Sequence, residues 1–258
     1  MQIDLAAVMP WTISALLVLF RVAAVVMTAP ILGAAIGAAR TRLMLAVALT
    51  LVLVPVTVTP RMAVTDFNLG LILDCAQQLA IGVAMGLVLQ IAFECLMLAG
   101  EMISAGSGLS FAQLIDPVRG TDASALGGLF TALAMLLFLS LDGHLAVVRL
   151  LAQSFKDLPL GAPVHLGEMS HTVTAASADL FAGAMQVALP GLIALLTVNL
   201  LMGVASRAAP TLNIFAVGLP VSVLAGLIVL YAGLQGFSAA SQQIFQRALD
   251  VLPGLYGG

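Results

Sequence analysis

The chain has 258 residues, of which 62% are hydrophobic and only 8% charged, with a net charge of −3 and a mean hydropathy of +1.16. A soluble domain carries about 25% charged residues, so an ordinary soluble enzyme or binding module is excluded, and the weak, scattered charge does not suggest nucleic acid. The composition fits one polytopic, membrane-embedded domain over residues 1–258.

Met1-Gln2-Ile3-Asp4 lacks a positively charged start, and Arg21 interrupts the first apolar run without a small-residue cleavage site, so no removable signal peptide is expected. Residues 11–39 read as a first span, loosened in its second half by Pro30, Gly33 and Gly37; Arg40 and Arg42 mark its boundary. Residues 43–59 form a short second span, and Arg61 to Asn68 a polar connection. Residues 69–104 form a third element, longer than the roughly 20 residues a bilayer needs. It is expected to bend or to project beyond the apolar zone.

The third element runs into Gly100 to Pro117, GEMISAGSGLSFAQLIDP, around which the chain is organised. Each interior glycine costs a helix about 1 kcal/mol, so a continuous helix through 104–110 is not expected, and Pro117 pushes Asp116 towards an extended conformation. Leu109, Phe111, Ala112, Leu114 and Ile115 are too apolar for a solvated linker. At membrane depth such a segment is tolerated only where protein covers it or where it lines a cavity. It either faces a pore or substrate path inside an assembly, or forms a re-entrant hairpin in the protein's own core.

Residues 123–155 make a fourth element, broken at Leu141-Asp142-Gly143-His144, where Asp-Gly reads as turn chemistry. Lys156 to Asp179 is the candidate exposed loop, ending in an N-cap at Ser177 or Asp179. Residues 180–206 form a fifth span containing Pro190, and the charge-free run 208–246 reads as a kinked helix or a helical hairpin. Strands are excluded by the length of the apolar runs and the absence of two-residue alternation. The fold class is therefore all-α: about six broken or kinked hydrophobic helical elements, expected to pair as bent helical hairpins. Gly33-x-x-x-Gly37 and Gly82-x-x-x-Gly86 have the spacing that allows close helix approach. Cys75 and Cys95 read as small buried hydrophobes.

Two features set the chain apart from a lipid-facing bundle. With six spans, Arg61, Lys156 and Arg247 fall on one side and Arg40, Arg42, Arg119 and Arg207 on the other, so basic residues assign no orientation. Moreover, Arg21, Asp74, Glu94 and Glu101 lie within spans, each costing about 2.5–3.5 kcal/mol at a helix centre. Pairing of Arg21 with Glu101 or Glu94 is expected to offset this.

No catalytic pattern stands out. His144, His165 and His171 do not make the H-E-x-x-H of a zinc protease. Asp74, Asp116 and Asp142 have no accompanying aspartyl-protease motif. Gly106-Ser107-Gly108 has the look of a membrane serine protease motif, but Ala105 stands where its first glycine belongs. No catalytic residue, metal site or cofactor is expected.

Four phrases, in order, span nearly the whole chain: Phe20-Arg21-Val22 with Thr28-Ala29-Pro30; Ala99-Gly100-Glu101 leading to Gly108-Leu109-Ser110-Phe111-Ala112 and Asp116-Pro117; Leu137-Phe138, Asp142-Gly143-His144-Leu145 and Ser154-Phe155 to Leu158-Pro159; and Arg207-Ala208-Ala209-Pro210 with Asn213-Ile214-Phe215 and Gly218-Leu219-Pro220. Together they resemble the family of the flagellar biosynthetic protein FliR and its virulence type III secretion counterparts, and look closer to the flagellar branch. The resemblance implies a non-catalytic subunit of the flagellar type III export gate, at the basal body in the bacterial inner membrane. Its implied partners are FliP-like and FliQ-like subunits, FlhB-like and FlhA-like components, unfolded export substrates and membrane lipid. It also implies a channel plug, carried over onto Gly106, Ser107, Gly108, Leu109, Ser110, Phe111 and Ala112. Bulkier residues usually stand in the family where Gly106 and Ser107 stand here, which shifts the expected seal towards Leu109 and Phe111. The competing reading is a secondary transporter with a substrate site at broken helices, with Asp74, Glu94 and Glu101 as coupling groups.

Overall fold

The computed structural model describes residues 5–30, 38–57, 69–110, 124–208 and 214–256. Among them there is no strand, and the elements are α1 (Leu5–Thr28), α2 (Ala39–Thr57), α3 (Leu69–Ser107), α4 (Ala125–Ser140), α5 (Gly143–Asp157), α6 (Leu166–Ala208) and α7 (Ile214–Val251), closed by a 3-10 turn at Leu252–Leu255. Five helices are long and apolar enough to cross a membrane, or six if α4 and α5 count as one broken span. The polytopic all-α class read from composition is the one observed.

Two elements differ from expectation. The third element, α3, does not end at residue 104 but continues to Ser107, so Gly106 lies within the helix. The expected loop from Lys156 to Asp179 is helical from Leu166 onward. Its hydroxyls satisfy themselves on the preceding turn: Ser170 donates to the Gly167 carbonyl, Thr172 to Glu168, Thr174 to Ser170 and Ser177 to Val173. Back-bonding of this kind satisfies the hydroxyls within a helix at a slight cost, and Ser177 and Asp179 lie inside the helix rather than at its cap. The charge-free run takes the first of its two expected forms, one helix rather than a hairpin: from Ile214 onward it belongs to the 38-residue α7 (Ile214–Val251), with Pro220 near the start. At 1.5 Å per residue the three long helices reach about 55–65 Å, roughly twice the hydrocarbon core of a bilayer.

The break between α4 and α5 is the anticipated turn. Asp142 adopts the left-handed conformation (φ 55°), which Asp tolerates better than most residues.

The helices divide into two compact units with interleaved chain segments. The described residues of Met1–Ile91, Asp142–Ala178 and Gln246–Gly258 form the first, and those of Ala92–Leu141 and Asp179–Phe245 the second. In the first, Ile13, Leu17 and Leu71 pack with Cys75 and Leu160. Gly82 and Gly86 seat α3 against α1: a Cβ at Gly82 would collide with the Arg21 carbonyl and Ala24, and one at Gly86 with the Thr28 side chain. The Gly82-x-x-x-Gly86 spacing thus works as the sequence suggests, while Gly33 and Gly37 lie outside the described residues. In the second unit Phe93, Phe138 and Phe245 meet one another edge-on or tilted at 4.9–5.5 Å, and Phe130 meets Phe237 edge-on at 4.8 Å. Both cysteines are free.

Large apolar side chains stay exposed along α2 (Met44, Leu51, Val52), α6 (Ile193, Leu196, Leu200, Leu201) and α7 (Leu224, Ile228, Tyr231). Apolar surface of this extent marks contact with membrane or with other proteins.

Candidate functional site

The glycine-serine stretch begins at the end of α3, inside the second unit. Gly106 does not break the helix because packing there outweighs its propensity cost. A Cβ at Gly106 would lie 3.1 Å from Leu195 Cδ1 on α6. Ser107 is fully buried and its hydroxyl donates to the Ser104 carbonyl at 3.0 Å. Gly226 of α7 approaches so closely that a Cβ on it would collide with the Ser107 side chain, and a Cβ on Gly191 of α6 would meet Val229 and Ile103. The last turn of α3 is therefore wedged between α6 and α7 by missing side chains. The helix stops at Gly108, whose φ of +79° is the left-handed geometry that glycine supplies at helix ends. The Gly108 N–H donates to the Ala105 carbonyl at 3.3 Å. Leu109 and Ser110 are half-buried in the turn that follows. Phe111 and Ala112 lie outside the described residues.

A helix end leaves its last carbonyls without intrahelical donors. The Gly106 carbonyl receives one from another helix: Asn199 Nδ2 on α6 donates to it at 3.0 Å. Ser222 Oγ on α7 donates in turn to Asn199 Oδ1 at 2.9 Å.

The far side of the same stretch is also held from α3. Ser124 is the N-cap of α4, its hydroxyl accepting from the Gly127 N–H at 3.0 Å. In a capping box a Glu at the third helical position reaches back to the N-cap N–H. Here that position is Gly127, and Glu101 supplies the carboxylate from α3: Oε1 accepts from the Ser124 N–H at 2.5 Å. The bare Gly127 makes room, since a Cβ there would collide with the Glu101 carboxyl group. A carboxylate at a helix N-terminus also gains from the helix dipole, which explains how Glu101 is tolerated within an apolar element.

Arg21 belongs to the first unit and is fully buried. Glu94 or Glu101 was its expected partner; the guanidinium instead bonds neutral acceptors. Nε donates to Gln78 Oε1 at 2.7 Å, Nη1 to the Ser154 carbonyl at 2.9 Å and to Ser154 Oγ at 3.1 Å, and Nη2 to the Leu158 carbonyl at 3.2 Å. The Phe155 ring lies 4.2 Å from the guanidinium carbon. These carbonyls close the C-terminus of α5, the negative end of its dipole, and a cation there is favourable without a carboxylate. Glu94 is exposed.

The structure thus joins Gly106, Ser107, Gly108 and Glu101 in the walls and anchors of one segment, and places Arg21 in a separate structural cluster. Sequence reasoning missed Asn199, Ser222, Gly191 and Gly226. The available signal was Asn199, a lone amide within the apolar run Leu195 to Met202. Among the described residues no group of three or more His, Cys, Asp or Glu is placed to hold a metal ion. The arrangement positions and restrains a length of chain.

Comparison with known proteins adds a family. A model described as bacterial export proteins, family 1, matches residues 12–248. The chain is similar to flagellar biosynthetic protein FliR of Pectobacterium carotovorum subsp. carotovorum, with 34% identity over 235 residues covering 90% of this chain and 88% of that one. It is 33% identical to the Escherichia coli K12 protein of the same name, over 91% of this chain and 89% of that protein. The Aquifex aeolicus FliR is also 33% identical, with 93% and 92% covered.

Proposed function

This chain belongs to family 1 of the bacterial export proteins, in the company of flagellar proteins called FliR, and from that membership we propose that it is a non-catalytic subunit of the flagellar type III export gate. It forms part of the export channel in the inner membrane, at the flagellar basal body. FliP-like and FliQ-like subunits are its neighbours there, with FlhB-like and FlhA-like components alongside and unfolded polypeptides as cargo. The segment 106–112 closes the channel as a plug rooted at Gly106 and Ser107 and movable from Gly108 onward. Glycines let it fold into a narrow lumen, its apolar side chains exclude water and ions, and arriving substrate displaces it.

The observation that carries this reading is the anchoring of both approaches to the segment from α3. The last turn of α3 is wedged between α6 and α7 at Gly106 and Ser107, and Glu101 grips the N-cap of α4. A stopper needs fixed roots and a yielding middle. A carrier using Glu101 as a coupling group needs that carboxylate available, whereas Glu101 is engaged on a helix N-terminus.

Deleting residues 106–112 is expected to raise ion conductance through the assembled gate in planar bilayers. Phe111→Asp is expected to leak as well, because a carboxylate rewets an apolar seal. Wild-type conductance in the deletion variant, with assembly intact, overturns the plug.

A further inference from the structure

We infer that Asn199 is the positioning residue that latches the last turn of α3, and with it the root of the glycine-serine segment, while Ser222 holds the Asn199 amide in the orientation the latch requires. The inference deepens the plug reading and rests on it for its functional meaning.

Three observations carry it. The Gly106 carbonyl is one of the helix-end acceptors that α3 cannot satisfy itself, and Asn199 on α6 supplies its donor. Asn199 stands among exposed Leu196, Leu200 and Leu201, a face on which an amide is costly unless it is bonded. Both ends of that amide are used: Oδ1 accepts from Ser222, and Nδ2 donates to Gly106. The Gly106 carbonyl only accepts, so the amide must present its nitrogen to it, and Ser222 secures that orientation by donating to the oxygen on the other side. One chain of hydrogen bonds therefore runs from α7 through α6 to the end of α3. The surrounding contacts, Gly106 on Leu195 and Gly226 on Ser107, set how closely the helices approach and are not directional. The directional bond to Gly106 sets the register.

The test uses the purified heteromeric complex with Cys75 and Cys95 replaced by alanine. A reporter Ser110→Cys sits beyond the latch, and Ser140→Cys on the exposed end of α4 serves as the control site. Asn199→Leu, which suits the apolar face, and Asn199→Ala are expected to raise maleimide labelling at position 110 relative to position 140 by about 3- to 15-fold, the range that side-chain hydrogen bonds between membrane helices supply. Ser222→Ala raises it less, Ser222→Thr restores it, and Ser222→Ala adds nothing in the Asn199→Ala background. The exposed control corrects for reagent and protein amount, and loss of general stability is read separately from the melting midpoint of the complex. An unchanged ratio in the assembled Asn199→Leu complex overturns the latch, and an additive Ser222→Ala effect overturns the orienting role. If labelling rises while the 106–112 deletion does not leak, the latch stands and the plug falls. If the deletion leaks while labelling is unchanged, the latch alone falls.

Discussion

Arg21→Met isolates what a buried cation without a carboxylate partner contributes. Methionine has similar length and no charge, so the variant removes four hydrogen bonds and the contact with Phe155 while filling much of the space. Two acceptors keep other partners: the Ser154 carbonyl still accepts from the Leu158 N–H at 3.0 Å, and Ser154 Oγ still donates to the Leu151 carbonyl at 2.7 Å. Gln78 Oε1 and the Leu158 carbonyl lose their Arg21 donors, Gln78 being 1% exposed. A buried group left bare costs about 1–3 kcal/mol, partly offset because no charge remains to be desolvated; the expected loss is about 2–4 kcal/mol. At about 2–4 °C per kcal/mol for a chain of this size, the melting midpoint of the detergent-solubilised protein falls by roughly 4–16 °C. Adding Gln78→Leu removes one of the bare acceptors and recovers part of the loss. Arg21→Lys falls between wild type and Met, because a single ammonium cannot reproduce the planar fork. A midpoint for Arg21→Met within 2 °C of wild type, or no recovery with Gln78→Leu, would refute this account of the cluster.

Glu101→Ala leaves the Ser124 N–H unbonded at about 1–3 kcal/mol, whereas Glu101→Gln keeps the acceptor and loses only about 0.3–1 kcal/mol of dipole attraction. Hydrogen exchange at residues 124–128 reads both, and equal protection in Glu101→Ala and wild type removes the cross-helix cap. Gly226→Ala drives a methyl into Ser107 and costs about 1–3 kcal/mol as overpacking. Ser107→Gly relieves it, so a double-mutant cycle on the melting midpoint is expected to show favourable coupling, and strictly additive losses contradict the close approach.

The residues that disagreed with the sequence reading share one cause. Gly106 was expected to break α3, and a helix-propensity argument has no access to Leu195, Gly191 and Gly226 closing around it from residues some 90–120 positions away. Arg21 and Glu101 were correctly identified as charges needing relief. Sequence suggested they relieve each other, because a list of residues shows side-chain charges but not the partial charges on helix ends that served each of them instead. The polar stretch 166–179 was read as loop for a similar reason: its hydroxyls count as hydrophilic until they fold back on their own helix.

Composition and pattern together determined the all-α, membrane-embedded class: 62% hydrophobic residues in long runs, without the two-residue alternation of a barrel strand, leave the helix as the way to satisfy the backbone. The ordered phrases along the chain were enough to reach the family. Only the tertiary structure decided what anchors the glycine-serine segment, because that depends on a carbonyl, an amide and two glycines brought together from three helices. Local pattern sets which face of a helix is apolar; which distant helix end meets it is set by packing, and hydrogen bonds between helix ends leave no periodic trace in the chain.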